Sequence, residues 1–213
     1  MNFRTTFRKT CSTAPRWAAL AAATLIGSTL LGGCAVLVGG AVVGGALSYS
    51  DRRTSGTQVE DEAIELKAVS RVNAALGERG HVNITSYNRS VLITGEVPTD
   101  ADRLLVEQTV ARVENVRATT NELMVGFSSS LSARSIDAIL TSKVKAAFLD
   151  TKDLQSNVFK VVTERSVVYL MGQVTEREAS RAAEVARGVG GVAKVVRVFE
   201  VISEAELANL LPK

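Results

Sequence analysis

Few residues in this 213-residue chain are suited to acid–base, nucleophilic or metal chemistry. His81 is the one histidine, and the two cysteines are Cys11 and Cys34. The sequence has no zinc-ligand spacing, no phosphate-binding loop and no nucleophile elbow. A single histidine just before a predicted strand is more typical of a loop or strand edge than of a general base. We therefore expect no catalytic residue, no metal site and no cofactor.

Two pairs of carboxylates lie close together in the sequence, Asp100 with Asp102 and Asp150 with Asp153. The first pair falls in the predicted first turn of a helix, where negative charge is favourable beside the helix dipole. The second pair falls in a predicted polar loop. Both pairs have a structural explanation, so the sequence indicates a protein that is not an enzyme.

Cys34 ends a segment that has the order of a secretory signal. Four basic residues precede an apolar run from Trp17 to Gly33, which has no charge and is short for a membrane span. The letters LGGC at 31–34 resemble a bacterial lipobox, in which the cysteine sulfur receives a diacylglycerol before cleavage. We predict a signal peptide over residues 1–33 and lipidation of Cys34. The open alternative is a plain signal peptide followed by an incidental cysteine.

The residue after this cysteine indicates which membrane holds the anchor. Lipoproteins of this kind are usually retained in the inner membrane when aspartate follows the cysteine, and here Ala35 follows. We expect acyl chains to anchor the protein in the outer membrane, facing the periplasm, without a transmembrane helix. Residues 34–60 are the predicted lipidated N-terminus and tether. The apolar part, 35–47, is either a flexible spacer or an interfacial or packed helix.

Removal of the predicted leader changes the charge of the chain. The whole sequence has 25 Lys and Arg against 22 Asp and Glu, and four of the basic residues lie in the leader. The remaining chain is close to neutral, so the basic isoelectric point belongs mostly to the leader. This balance gives no electrostatic reason to expect a nucleic-acid partner.

The chain from about residue 61 contains the same pattern twice. RVNAAL at 71–76 matches KVKAAF at 143–148 with an offset of 72, and VLITGEV at 91–97 matches VYLMGQV at 168–174 with an offset of 77. The difference predicts five extra residues between the first helix and the hairpin of the second copy. Each copy is predicted to contain a helix, two strands, a second helix and a last strand.

Apolar spacing and capping residues place the helices of each copy. The predicted core face of the first helix is Ile64, Ala68, Val72, Ala75 and Leu76. Thr99 is the predicted N-cap of the second helix. The apolar side of that helix is predicted to include Leu105, Thr109 and Val113. In copy two, Thr175 and Glu178 form the pattern of a capping box.

Several marks of each copy resemble the BON domain family. The second strand ends on a glycine, Gly95 or Gly172, a helix follows, and a turn of small residues precedes the last strand. The most specific stretch is VYLMGQVTEREA at 168–179. The resemblance covers about residues 60–202. It implies an α+β fold of two tandem αββαβ domains, each a small mixed sheet packed by two helices.

The predicted boundaries follow from these patterns. BON domain 1 is placed at 61–126 and BON domain 2 at 133–202, with a linker at 127–132 and a C-terminal tail at 203–213. The tail is read either as a short amphipathic helix or as a simple tail.

Gly95 and Gly172 also have a mechanical explanation that is independent of the family. A glycine at the end of a strand permits a sharp exit or a close approach of another backbone. We predict that both are structural glycines and do not contact a ligand.

The first helix of copy two has more apolar residues than its core needs. The offset of 72 assigns its interior face to Ile136, Leu140, Val144, Ala147 and Phe148. Ile139, Ala146 and Leu149 then form a second apolar stripe, flanked by Lys143 and Lys145. Copy one has a lysine and a glycine at the aligned positions of Ile139 and Leu149. Only copy two is therefore predicted to carry the stripe.

Exposed apolar residues edged by lysines suit a surface of anionic phospholipid, such as phosphatidylglycerol or cardiolipin. Resemblance to lipid-anchored proteins with two BON domains implies the same helix as the contact, and a role in envelope integrity. The predicted phospholipid-binding residues are Ile139, Lys143, Lys145, Ala146, Phe148, Leu149, Lys152 and Leu154. Two alternatives stay open. The stripe packs against copy one, or it binds an envelope protein or the outer-membrane assembly machinery.

Overall fold

A computed structural model describes residues 51–210 of the chain. The described residues all belong to one compact unit, whose bounds are Ala46–Lys213. The predicted signal peptide, the lipidated Cys34 and most of the predicted tether lie outside the described residues. Within residues 51–210, no helix combines the length and apolar character needed to cross a bilayer.

The first copy is one helix, a hairpin, a second helix and a divided last strand. Its elements are α1 (Ser55–Leu76), β1 (His81–Tyr87), β2 (Ser90–Val97), α2 (Asp100–Ala111), β3 (Ala118–Asn121) and β4 (Met124–Val125). Strand β1 pairs antiparallel with β2, and both β3 and β4 pair parallel with β2. Buried side chains from the two helices and the sheet form one core.

The second copy repeats this order and is followed by a short C-terminal helix. Its elements are α3 (Leu131–Asp150), a 3-10 turn (Ser156–Val158), β5 (Lys160–Glu164), β6 (Val167–Val174), α4 (Glu176–Arg187), β7 (Lys194–Val201) and α5 (Glu204–Leu210). Strand β6 pairs antiparallel with β5 and parallel with β7. The predicted α+β fold of two αββαβ domains is confirmed.

The first helix of each copy begins before the domain boundary predicted from sequence. The Thr54 hydroxyl accepts a hydrogen bond from the amide of Thr57 at 3.1 Å, so α1 starts at Ser55 and residues 55–60 are helical. Ser130 caps α3 in the same way, and this helix starts at Leu131 inside the predicted linker. A side-chain oxygen at each cap satisfies an amide that the helix cannot pair.

The first helices of the two copies align one helical turn away from the predicted register. The buried residues pair as Ile64 with Leu140, Ala68 with Val144 and Val72 with Phe148, an offset of 76. Ile136, predicted to be interior, is exposed, and Asp137 takes the buried position that Asp61 takes in α1. The connection to the hairpin is nine residues in copy two, 151–159, and four in copy one. The hairpin turns are offset by 77, so the corrected helix offset of 76 leaves one extra residue between helix and hairpin, and the predicted five were wrong.

Two smaller predictions about core residues were also wrong. Ala75 is exposed on α1. In α2 the buried apolar side chains are Val106 and Val110, whereas Leu105 is exposed; Val113, just after the helix, is buried as predicted. Thr99 caps α2 as predicted, because its hydroxyl accepts a hydrogen bond from the amide of Asp102 at 3.1 Å.

A buried aspartate joins α1 to the hairpin turn of copy one. Asp61 accepts hydrogen bonds from the amides of Asn88 and Arg89, both at 2.8 Å, and from the hydroxyl of Ser86 at 2.6 Å. The Arg53 guanidinium donates a fourth at 2.7 Å. Burial would raise the pKa of Asp61, but these hydrogen bonds hold it below its usual value.

Asp137 repeats this arrangement in copy two. It accepts hydrogen bonds from the amides of Arg165 and Ser166 at 2.8 and 2.9 Å. Both turn residues have positive φ, as the two central residues of a type I′ hairpin turn require. The aspartate therefore fixes a turn whose backbone L-residues rarely adopt.

Gly95 and Gly172 lie where a strand passes close to another backbone segment. A Cβ on Gly95 would stand 2.0 Å from the carbonyl oxygen of His81, and the φ of Gly95 is +114°. A Cβ on Gly172 would stand 2.6 Å from the carbonyl oxygen of Val158. These distances give the predicted structural role a steric cause.

The two domains contact each other through their sheets. The interface has an apolar cluster of Tyr87, Leu92, Tyr169 and Met171. Lys160 of the second domain crosses to the first and donates to the Glu65 carboxylate at 2.7 Å. The alternative in which the stripe of α3 packs against copy one is therefore wrong, since Ile139 and Leu149 are exposed.

The residues just before α1 attach to the second domain. The Arg52 guanidinium donates two hydrogen bonds to the Glu178 carboxylate, at 2.7 and 2.8 Å, and one to the Gln173 carbonyl at 2.7 Å. Burial would raise the pKa of Glu178, but the hydrogen bonds from Arg52 and from the Thr175 amide lower it. Because Glu178 also completes the predicted capping box of α4, this ion pair connects the start of α1 to the start of α4.

Candidate functional site

Helix α3 is apolar on two opposite sides, and only one of them faces the core. The residues of the exposed side, called here the α3 face, are Ile136, Ile139, Ala146 and Leu149. Ile139 is 57% exposed and Leu149 is 70% exposed. At about 100° per residue, Ile139, Ala146 and Leu149 lie opposite the buried side of the helix, and Ile136 lies at the edge of the face. The α3 face is therefore apolar surface that the fold of the domain does not use.

Basic side chains border this surface. Lys143 and Lys145 are exposed on α3, and Lys152 is exposed just after it. Asp150 is an exposed acidic residue at the end of the helix. Lysine stems can cover apolar surface while their ammonium groups remain in water or reach a phosphate. The α3 face is thus an apolar strip with a mainly basic border.

Two residues of the predicted contact set are buried. Phe148 is 1% exposed and packs in the core, where its ring centroid lies 5.1 Å from that of Phe159. Leu154 is 8% exposed because the long connection folds back on the second domain's core. Neither side chain can reach a bilayer while the domain is folded. The contact set is corrected by removing both and adding Ile136.

The exposed apolar surface continues toward the linker. Leu131 lies five helical turns before Leu149, on the same line along α3, and Phe127 precedes the helix. Both side chains are among the most exposed large apolar residues of the described chain. The sequence signal for them was weak because they fall in a stretch rich in serine, which reads as a linker.

The prediction that only copy two exposes apolar residues on its first helix was wrong, although the residues differ between the copies. At the offset of 76, α1 has Ala63, Ser70 and Asn73 in place of Ile139, Ala146 and Leu149 of α3. Helix α1 instead exposes Val59 and Leu66, which the sequence pattern did not single out. These two residues provide a matched control surface on the first domain.

His81 lies at the start of β1 beside two buried carboxylates. Its Nδ1 is 3.3 Å from the Glu96 carboxylate, and Glu164 of the second domain is close to both. Burial raises the pKa of Glu164, and the negative charge of Glu96 raises it further. Sequence spacing could not indicate this cluster, because only contact between the domains assembles it.

Both copies match a known protein family. The BON domain family matches residues 60–126 and 136–203. The chain belongs to the BON domain family. The predicted resemblance is confirmed, and the two matched segments correspond to the two αββαβ domains.

Three relatives match this chain over different lengths. The chain is 38% identical over 183 residues to the outer membrane lipoprotein DolP of Haemophilus influenzae, covering 84% of this chain and 94% of that protein. It is 34% identical over 154 residues to the 21 kDa hemolysin of Actinobacillus pleuropneumoniae, covering 71% and 79%. It is 37% identical over 91 residues to the osmotically-inducible protein Y of Escherichia coli, covering 40% and 45%.

Proposed function

We propose that this chain is an outer-membrane lipoprotein, anchored through Cys34, that contacts anionic phospholipid with the α3 face and supports envelope integrity. The similarity to an outer membrane lipoprotein over almost its whole length supports the location. The lipobox sequence supports the anchor. The observation that carries the lipid contact is the exposed apolar α3 face with its basic border.

The chemistry of the face fits the boundary between headgroups and acyl chains. Burying a large aliphatic side chain contributes roughly 1.5 to 3 kcal/mol, and each lysine near an anionic surface contributes about 1 kcal/mol. Ile136 and Leu149 are about 20 Å apart along the helix axis, so α3 would lie parallel to the membrane. Partial burial of three such side chains and two lysines gives a weak but selective contact.

The lipid anchor makes a weak contact sufficient. Asp51 follows Cys34 by 17 positions, and an extended chain of that length reaches at most about 60 Å. The second contact is then made within one tethered molecule, at a high effective concentration. We therefore expect the α3 face to set orientation and lipid preference, while the acyl chains hold the protein on the membrane.

Replacement of two residues on the α3 face tests this proposal. We expect the soluble unit Ala46–Lys213 to co-sediment with phosphatidylglycerol or cardiolipin vesicles more than with phosphatidylcholine vesicles. Ile139→Asp combined with Leu149→Asp should weaken that binding at least about tenfold, because two carboxylates must enter an apolar and anionic boundary. Both sites are exposed, so the fold should be retained, as circular dichroism can check.

The matched control is Val59→Asp combined with Leu66→Asp, which places the same charges on exposed sites of α1. This control should leave vesicle binding close to that of the wild type. Equal loss in both double variants would indicate a general charge effect. A folded wild type that ignores anionic vesicles would contradict the lipid contact and favour a protein partner for the α3 face.

A further inference from the structure

Two carboxylates are buried against each other at the contact between the domains. Glu96, on β2 of the first domain, is 0% exposed, and Glu164, at the end of β5 of the second domain, is 6% exposed. Burial of two like charges is costly unless a cation or a proton accompanies them. The two carboxylates therefore require a cation or a proton beside them.

In the described part of the chain, few basic side chains accompany these carboxylates. Glu96 accepts hydrogen bonds from the Ser129 amide at 3.1 Å and from the Arg165 guanidinium at 3.4 Å. Glu164 accepts one hydrogen bond, at 2.8 Å, from the neutral amide of Asn83. Within residues 51–210, Glu164 forms no ion pair with a basic side chain. Glu164 is thus a buried carboxylate with one neutral partner.

His81 completes a set of metal-ligand atoms. Its Nδ1 lies 3.3 Å from Oε2 of Glu96, and the three ligand atoms of His81, Glu96 and Glu164 are all within 4.8 Å of one another. Ligands of a tetrahedral zinc ion, each about 2.0 to 2.2 Å from the metal, are roughly 3.4 Å apart. Rotation of the side chains that moves the ligand atoms by about 1 Å therefore brings them to the separation found around a tetrahedral zinc ion.

We propose that His81, Glu96 and Glu164 bind one first-row transition-metal dication, with Zn²⁺ as the probe, between the two BON domains. Imidazole nitrogen and carboxylate oxygen are both zinc ligands, and three protein ligands leave a fourth position for a water. A surface cavity of about 240 Å³ lined by His81 and Glu164 provides access for the ion and that water. The nitrogen ligand favours zinc over Mg²⁺ and Ca²⁺, which prefer oxygen ligands.

The surrounding charges set the expected strength of the site. Arg165 contacts Oε1 of Glu96, whereas His81 contacts Oε2, so the arginine can stay in place when a metal binds. Arg134 also lines the cavity. Two guanidinium groups nearby reduce the attraction for a cation. We therefore expect affinity weaker than that of a structural zinc site with four protein ligands.

The consequence of metal binding would be a fixed arrangement of the two domains. His81 and Glu96 belong to the first domain and Glu164 to the second, so the ion would crosslink them. Binding to the folded state alone also raises stability. This inference does not depend on the lipid contact, although Arg134, Asp137, Ala138 and Thr141 of α3 line the cavity on a side of the helix away from Ile139.

Equilibrium dialysis of the unit Ala46–Lys213 against micromolar Zn²⁺ with millimolar Mg²⁺ tests the site. We expect one zinc retained per chain and a melting temperature raised by several degrees. Glu164→Gln should reduce zinc retention at least tenfold, and this neutral isostere keeps the hydrogen bond from Asn83. The control Glu62→Gln, at an exposed position of α1, should retain zinc like the wild type.

Imidazole NMR gives a second readout, because His81 is the one histidine and this unit has no cysteine. Zinc should shift the His81 ring resonances in the wild type and not in Glu164→Gln. Absence of stoichiometric zinc in a folded wild type would overturn the proposal. Zinc retention that His81→Asn abolishes but Glu164→Gln leaves intact would identify adventitious binding to a surface histidine and would also overturn it.

Discussion

Gly95→Ala is expected to destabilise the first domain by roughly 3 kcal/mol or more. We expect this to be among the largest losses of stability caused by adding one methyl group to the protein. The new Cβ would stand 2.0 Å from the His81 carbonyl oxygen, and Gly95 has a φ of +114°. The colliding atom is backbone, and the register of β1 against β2 holds it there. The strands must separate or the glycine must change conformation, and both break the sheet.

Urea unfolding of Gly95→Ala measures this effect. Gly126→Ala is the control, because a Cβ at Gly126 meets no atom within 4 Å and its φ is outside the left-handed region. We expect the control to change the free energy of unfolding by less than about 0.5 kcal/mol. Similar stabilities for the two variants would show that the close approach at Gly95 does not constrain the fold.

Asp61→Ala is expected to destabilise the protein by about 3 to 5 kcal/mol at neutral pH. The substitution removes the acceptor of four hydrogen bonds and leaves two turn amides and the Ser86 hydroxyl without this partner. It also leaves the Arg53 guanidinium, which is largely buried, with less negative charge nearby. The turn then loses the contact that holds its positive φ values.

The pH dependence of this loss distinguishes the carboxylate from simple packing. The pKa of Asp61 in the folded state lies below its usual value of 3.8, so its stabilising contribution is complete above that pH. The contribution is lost as the pH falls through the lower folded-state value. Urea unfolding should therefore show a large deficit for Asp61→Ala at pH 7 that narrows below pH 3.8. An equal loss of unfolding free energy at pH 7 and below pH 3.8 would contradict this role of the carboxylate.

Elements whose signals are local were predictable from sequence. Thr99 and Thr175 were identified as N-caps because a hydroxyl at that position satisfies an exposed amide within three residues. The alternation of β2 and β6 and their terminal glycines likewise depend on neighbours in the chain. Such features give the αββαβ order and the family without knowledge of long-range contacts.

The predicted alignment of α3 with α1 was wrong because the apolar pattern of α3 fits two alignments that differ by one helical turn. Apolar residues recur every three or four positions in both first helices, so a shift of one turn places another apolar row on the core face. The aspartates resolve the ambiguity: Asp61 is three residues before Ile64, and Asp137 is three residues before Leu140. Their role was not visible in the sequence, because each bonds to a turn about 27 residues away.

Of the two candidate sites, one could be predicted from the sequence and the other could not. The α3 face could be found from helical periodicity, although its membership changed when Phe148 proved buried and Ile136 exposed. The cluster of His81, Glu96 and Glu164 could not be found, because its members come from two domains. Its assembly depends on how the two sheets pack, and no local pattern encodes that packing.

The most direct test of the lipid contact places a fluorescent reporter on the α3 face. The unit Ala46–Lys213 has no tryptophan, since the one tryptophan of the chain is Trp17. Ile139→Trp should show blue-shifted emission and quenching by brominated acyl chains in phosphatidylglycerol vesicles, whereas Leu66→Trp on α1 should stay in water. Quenching of neither reporter, or of Leu66→Trp alone, would contradict membrane contact through the α3 face.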